Sequence, residues 1–382
     1  MPLGAIEHRR EIVMFPNLAV WIKLLLAVAA AFTISYLLTP QVKHFAEKVG
    51  AIDVPRDGRR VHDHPIPRMG GLAIFLGFVI SMLIFADMST QVMGLLIGAV
   101  IIAAMGAIDD IVTLNAWVKL AAQLLAAWVA IRCGIVFDAI SNPIVFSDTT
   151  TIAIGNWAIP LTVLWIVGCT NAVNLIDGLD GLAVGVSAIS SFTMLVVAIF
   201  VAEPNTAIIL AALTGACIGF MPYNLNPAKI FMGDVGSQLL GFVLATASVM
   251  GMFKFHAIIT FLVPVLALAV PLVDTTAAFL RRIAHGQSPF HADKKHLHHQ
   301  LLAMGLSQKQ AVAALYCLSA ILGLFAVLLA NTNVFIRAVC LVLVFAISLL
   351  AWLFIFHHNP NIHIEHHELH PAEESEEIKK EA

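Results

Sequence analysis

Eleven residues, Asn171-Ala-Val-Asn174-Leu-Ile-Asp177-Gly178-Leu-Asp180-Gly181, set two amides, two carboxylates and two glycines between long apolar stretches. Polar groups at membrane depth are costly and tend to mark a reaction or transport site. Asn171, Asn174 and Asp177 follow one another at intervals of three, a spacing that on a helix turns them roughly the same way. The two glycines loosen the backbone where a helix would have to stop. Such a run suits a cation site at a membrane surface.

Three further clusters carry chemistry of their own. Asp109-Asp110 ends an apolar segment; alone it reads equally well as a solvated turn, but beside other carboxylates it suits Mg²⁺, which prefers oxygen ligands and keeps several waters. Lys119 lies nine residues beyond Asp110, about two and a half helical turns, and a lysine so deep in apolar sequence is either snorkelling or paired with anions. In Phe231-Met-Gly-Asp234-Val-Gly236-Ser237 a glycine-flanked aspartate opens a helix, where backbone N–H groups favour anions; a simple capping turn is the plainer reading. His296, His298 and His299, preceded by Lys294 and Lys295, lack the cysteines and the i, i+4 spacing of a zinc site. They read better as a phosphate-binding loop. An acidic half and a basic half together point to phosphoryl transfer.

The elements that must position these residues are membrane helices. The chain has 382 residues, 60% hydrophobic and 12% charged, with a mean hydropathy of +0.91; a soluble domain carries roughly 25% charged residues. A helix needs about 20 apolar residues to cross a bilayer. Candidate segments are 17–38, 70–86, 92–108, 116–133, 157–172, 182–201, 206–222, 236–251, 257–280, 310–330 and 333–356. The expected fold is all-α: a polytopic integral membrane protein of about eleven transmembrane helices, with its site built from cytoplasmic loops. Residues 1–356 form the membrane domain. Residues 357–382, rich in His and Glu, are expected to be a disordered, solvated tail. No cleavable signal is evident, and the five cysteines are scattered without a CxxC pair, so they read as packing thiols.

Charge placement sets the orientation. The connection after the first segment carries Lys43, Lys48, Arg56, Arg59, Arg60 and Arg68; that after the ninth carries Arg281, Arg282, Lys294, Lys295 and Lys309. These outnumber Arg9 and Arg10 of the N-terminal arm. By the positive-inside rule the odd-numbered connections are cytoplasmic, the N-terminus outside and the C-terminus inside. All four polar clusters fall in odd-numbered connections, which predicts one site on one face.

In this order the motifs resemble the polyprenyl-phosphate N-acetylhexosamine-1-phosphate transferase family. The resemblance rests on Pro67-Arg68-Met-Gly70-Gly71, Asp109-Asp110, the Asn171–Gly181 run, Pro227-Ala-Lys229-Ile-Phe231-Met-Gly-Asp234, Pro271-Leu-Val-Asp274-Thr and Asp293-Lys-Lys-His296-Leu-His298-His299. It implies transfer of a sugar 1-phosphate from a UDP-sugar to undecaprenyl phosphate, with release of UMP and a need for Mg²⁺ (or Mn²⁺). It implies Asn174 and Asp234 at the metal, with Asp177 and Asp180 nearby. Asp109 and Asp110 would activate the lipid phosphate, and Lys119 would meet phosphate oxygens. Phe231 would lie near the uracil, with Asn171, Arg68 and the histidines binding substrate. The Pro-Arg-Met-Gly-Gly and His-Leu-His-His patterns look like the GlcNAc-1-phosphate branch rather than the muramoyl-pentapeptide branch. The expected partners are UDP-GlcNAc, undecaprenyl phosphate, the lipid bilayer and a second copy in a homodimer, with no nucleic acid. A cation-coupled transporter is the rival class, although its charges would sit near mid-membrane. A CDP-alcohol phosphotransferase would show an Asp-Gly-x2-Ala-Arg array, which this chain lacks.

Overall fold

Among the described residues, helices occupy each of the first ten apolar segments. The computed structural model describes residues 18–54, 64–137, 139–141, 151–251, 259–284, 286 and 296–330, with 339, 342, 343 and 346. The eleventh segment lies almost wholly outside the described residues, as do the tail, Lys294 and Lys295. In chain order the helices are α1 (Leu18–Val49), α2 (Gly71–Phe85), α3 (Thr90–Ile111), α4 (Ala116–Arg132), α5 (Ala158–Leu175) and α6 (Leu182–Phe200). After them come α7 (Pro204–Asn224), α8 (Gly233–Gly251), α9 (Ile259–Ala267), α10 (Ala269–Ala284), α11 (Leu297–Ala303) and α12 (Gln308–Leu329). Two antiparallel strand pairs add a little sheet: β1 (Ile52–Asp53) with β2 (Ile66–Pro67), and β3 (Ala139–Ser141) with β4 (Thr151–Ala153). Among the described residues seven helices are long and apolar enough to cross a membrane, and α2 is a shorter apolar helix.

Two segments end differently from the sequence expectation, and each carries a proline. α1 runs on through Pro40 to Val49, where the sequence pattern stops at 38. Pro40 has no N–H for the Tyr36 carbonyl one turn back, yet the helix carries it without ending. It stops at Gly50, whose φ of 76° suits the left-handed end of a helix. The Ala51 N–H then reaches back to the Ala46 carbonyl at 2.9 Å. The single segment expected over 257–280 is two helices, α9 and α10. Pro271 has no N–H for the Ala267 carbonyl, and Ser190 Oγ on α6 donates to that oxygen instead, at 2.5 Å.

α6, α7 and α8 are buried along most of their length and form the middle of the bundle. α1, α4 and α12 show many exposed apolar side chains outward, as lipid-facing helices do. With little hydrophobic drive between helices in lipid, close backbone approach through small residues holds them together. Gly215 and Gly219 of α7 lie against backbone of α1 with no room for a Cβ. Gly71 of α2 and Gly106 of α3 meet the backbone of α8 around Val235 and Gly236 in the same way. The start of α8 is therefore wedged between α2 and α3, and that wedge fixes the site.

The chain divides into two units, Met1–Arg337 and Ala338–Ala382. Every helix named above belongs to the first. In the second, the described residues Val339, Val342, Leu343 and Ala346 are helical.

Candidate active site

The C-terminal ends of α3, α5 and α7 meet the N-terminal ends of α4, α6 and α8. The polar clusters of the odd-numbered connections thereby converge at one end of the bundle. They surround a cavity of about 580 Å³. Its wall includes Asp110 from α3, Asn174 from α5, Asp177 and Asp180 from the turn after α5, and Asp234 from α8. Arg68, Phe231, Asn226, His299 and Gln308 complete much of the rest.

The acidic wall is built on the first turn of α8. Asp110 accepts the backbone N–H of Asp234 at 3.1 Å and of Val235 at 3.4 Å, which caps the helix. Gly233, with φ 71°, lies so close to the Asp110 carboxylate that no side chain fits there. Arg68 Nε donates to the Asp110 backbone carbonyl at 3.0 Å and lies 3.8 Å from its carboxylate. Lys119 Nζ donates to Asp109 Oδ2 and Asp234 Oδ2, both at 2.7 Å. The short turn after α3 folds α4 back, so Lys119 faces the carboxylates and is paired with anions. Asp109, which is buried, also accepts the Leu114 N–H at 2.8 Å; a buried charge needs such partners.

α5 ends at Leu175, so Asp177 and Asp180 sit on turns and not on a continued helix. Burial, reinforced by the charges of Asp234, Asp110 and Asp180, pushes the Asp177 carboxyl up to about 8. It therefore holds a proton at neutral pH. Asp180 Oδ2 accepts Asn226 Nδ2 at 2.9 Å and the Ala228 N–H at 3.0 Å, and so pins the loop after α7. Asn226 also donates to Gln308 Oε1 at 2.7 Å, which brings α12 to the rim.

The histidines do not act alike. Asp274 on α10 accepts the Leu297 N–H at 2.7 Å and pairs with His296 Nδ1 at 3.0 Å. His298 lies parallel to His296, their ring centres 5.8 Å apart. Burial, then the neighbouring His299, lowers its pKa to about 4. His298 is thus uncharged at neutral pH, and only His299 of the three reaches the cavity wall. Asn171 is absent from that wall as well; its amide bonds to Gln123 on α4 at 2.8 Å. Gln123 and Gln238 escaped the sequence reading, although each stands four residues after a charged site residue, Lys119 and Asp234, on the same helix face.

The oxygen donors fit a hard divalent cation. Asn174 Nδ2 donates to Asp234 Oδ1 at 3.2 Å and to Ser237 Oγ at 2.7 Å, which leaves its Oδ1 as an acceptor. Among the described residues no three His, Cys, Asp or Glu side chains converge on a point. Mg²⁺ in phosphate chemistry needs only one or two carboxylates, with water and substrate phosphate supplying the rest.

Long apolar helices that carry one carboxylate-rich, basic-edged cavity define an integral membrane enzyme. Residues 92–252 match the family described as glycosyl transferase family 4. The "Probable undecaprenyl-phosphate N-acetylglucosaminyl 1-phosphate transferase" of Bacillus subtilis is 40% identical over 319 residues, 82% of this chain and 87% of that protein. The "Decaprenyl-phosphate N-acetylglucosaminephosphotransferase" of Mycobacterium tuberculosis is 35% identical over 77% of this chain and 79% of its own length. The "Phospho-N-acetylmuramoyl-pentapeptide-transferase" of Staphylococcus aureus is 34% identical over 80% and 97%. The chain belongs to glycosyl transferase family 4, the phosphoglycosyltransferase family its motifs resemble.

Proposed function

We propose that this protein transfers GlcNAc 1-phosphate from UDP-GlcNAc to undecaprenyl phosphate, forming undecaprenyl-diphosphate-GlcNAc and UMP. The observation that carries this reading is one cavity lined by Asp110, Asp177, Asp180 and Asp234 together with Arg68 and His299. An acidic wall suits a divalent cation and a basic edge suits phosphate oxygens. The stronger likeness to relatives named for N-acetylglucosamine, with Arg68 of the Pro67–Gly71 run on the cavity wall, favours GlcNAc over a muramoyl-pentapeptide donor.

In the reaction, an oxygen of the lipid phosphate attacks the β-phosphorus of the donor. The bond from that phosphorus to the bridging oxygen breaks, and UMP leaves with the oxygen. Asp234 and Asn174 Oδ1 would hold Mg²⁺ (or Mn²⁺), which when bound neutralises the pyrophosphate charge. Arg68 and His299 meet phosphate oxygens and stabilise the charge that spreads in the transition state. Phe231 offers a ring to the uracil. Asp109, Asp110 and Lys119 hold Asp234 in place. The basic residues on the connections that share the site's end of the bundle favour a cytoplasmic site, with the N-terminus outside and the C-terminus inside.

Purified protein incubated with a panel of UDP-sugars tests the reading. UMP release from UDP-GlcNAc that depends on added undecaprenyl phosphate and on Mg²⁺ is the expected result. Release from UDP-MurNAc-pentapeptide alone would reassign the donor, and a trapped phospho-enzyme without lipid would overturn direct attack in favour of a covalent route.

A further inference from the structure

Asp234 is held by more than its neighbours. Gln238 Nε2 donates to Asp234 Oδ2 at 2.8 Å. Gln123 Nε2 on α4 donates to Gln238 Oε1 at 2.8 Å, and Asn171 Nδ2 on α5 donates to Gln123 Oε1 at 2.8 Å. Asn171 Nδ2 also donates to the Val167 carbonyl at 2.8 Å. Three side-chain amides thus run head to tail across three helices. Gln123 and Gln238 are 2% and 1% exposed, so a lost partner would leave a buried polar group unsatisfied.

The direction of the chain follows from its ends. An ionised carboxylate and a backbone carbonyl only accept hydrogen bonds. With Asn171 turned to satisfy Val167, its N–H fixes which way Gln123 faces. Gln123 in turn fixes Gln238, so that Nε2 and not Oε1 meets Asp234. Were Gln238 reversed, two acceptors would face each other in a buried site, a costly arrangement. With Lys119 and Gln238 both on Oδ2, the carboxylate is left with Oδ1 beside Asn174.

We infer that Asn171, Gln123 and Gln238 are positioning residues. Their amide chain sets the rotation of Asp234, and Asn171 acts through it rather than by touching substrate. This rests on the proposed role of Asp234 at a divalent cation. Groups that orient a metal ligand typically change metal affinity by about ten- to a hundredfold when removed.

Mn²⁺ binding to detergent-purified full-length protein, followed by electron paramagnetic resonance without nucleotide or lipid, tests it. Gln123→Leu and Asn171→Leu should each weaken Mn²⁺ binding about tenfold or more, with KM for the sugar nucleotide less affected than Mn²⁺ affinity. In a double-mutant cycle, Gln123→Leu made on Gln238→Leu should cost little further, because the chain is already cut. Additive losses, or wild-type Mn²⁺ affinity in folded Gln123→Leu and Asn171→Leu proteins, would overturn the relay while leaving the cation role intact. Absence of Mn²⁺ binding to the wild type would overturn the cation role and the relay with it. Melting temperature separates misfolded variants, and Gln123→Met supplies a second, flexible replacement.

Discussion

Lys119 on α4 reaches Asp234 on α8 at 2.7 Å across 115 positions of sequence. The same ammonium serves Asp109 at an equal distance, so one cation ties α3 to the first turn of α8. Removing one partner of a largely buried pair costs about 3–5 kcal/mol because the remaining charge is stranded; a part-exposed lysine puts this case at the low end. Lys119→Met is expected to lower the melting temperature and to reduce UMP release at least a hundredfold. Lys119→Arg keeps the charge but brings a planar fork where a point charge sits, and should fall between. Turnover of Lys119→Met within threefold of wild type would sink this role.

Asp177 gives the site a pH dependence whose sign is set by its neighbours. Burial and nearby carboxylates raise its pKa to about 8, so the cation-free protein carries a proton there at pH 7. A cation entering the cavity favours the charged form and lowers that pKa. Activity at low Mg²⁺ should therefore rise with pH through the 7–8 range. At high Mg²⁺ the same limb should move to lower pH, and chelation by EDTA should abolish turnover. Asp177→Asn should shrink the limb and reduce its movement with Mg²⁺. Rate profiles recorded at two Mg²⁺ concentrations check this; a limb that stays in place would remove Asp177 from the cation's surroundings.

Much of this arrangement was legible in the chain before its fold. Apolar runs long enough to cross a bilayer declare the helices, and connection parity placed Asp109-Asp110, Asn174, Asp177 and Asp234 at one end. What stayed hidden depends on partners far apart in sequence. Nothing local to Asp180 says that its carboxylate is occupied by Asn226 and the Ala228 amide. His298 looks cationic beside other histidines until burial is known. The break after Ala267 could have been read from Pro271, but the oxygen that accepts Ser190 could not. Gln123 and Gln238 carried a usable signal, a polar residue one turn beyond a charged one in apolar sequence.

Asp274 anchors the histidine loop from outside the cavity. Its two oxygens take the Leu297 N–H and His296, and it is buried. Asp274→Ala leaves that N–H unsatisfied, a loss of about 1–3 kcal/mol, and releases the segment bearing His299. We expect KM for UDP-GlcNAc to rise more than kcat falls, because in the proposed reaction this loop meets the donor. Asp274→Asn keeps one acceptor and should retain most donor affinity. Steady-state kinetics on the two variants decides it: equal KM values for Ala and Asn would refute the anchor.

Gly178 is where the acidic turn and the histidine loop touch. A Cβ at this position would lie 2.5 Å from His298 Nε2. An exposed side chain could swing away, but His298 is buried and stacked beside His296, with the His299 ring 4.3 Å away. The displacement is therefore passed to His299 at the cavity edge. Gly178→Ala places one methyl group far from the bundle core, so the melting temperature should change by only a few degrees. UMP release should nonetheless fall at least tenfold, since misplacement of about 1 Å in a catalytic group can cost two orders of magnitude. The double variant Gly178→Ala with His298→Ala opens space for the methyl and should recover part of the loss relative to Gly178→Ala alone. If the double variant is the slower of the two, the contact between these residues is not what limits the single one.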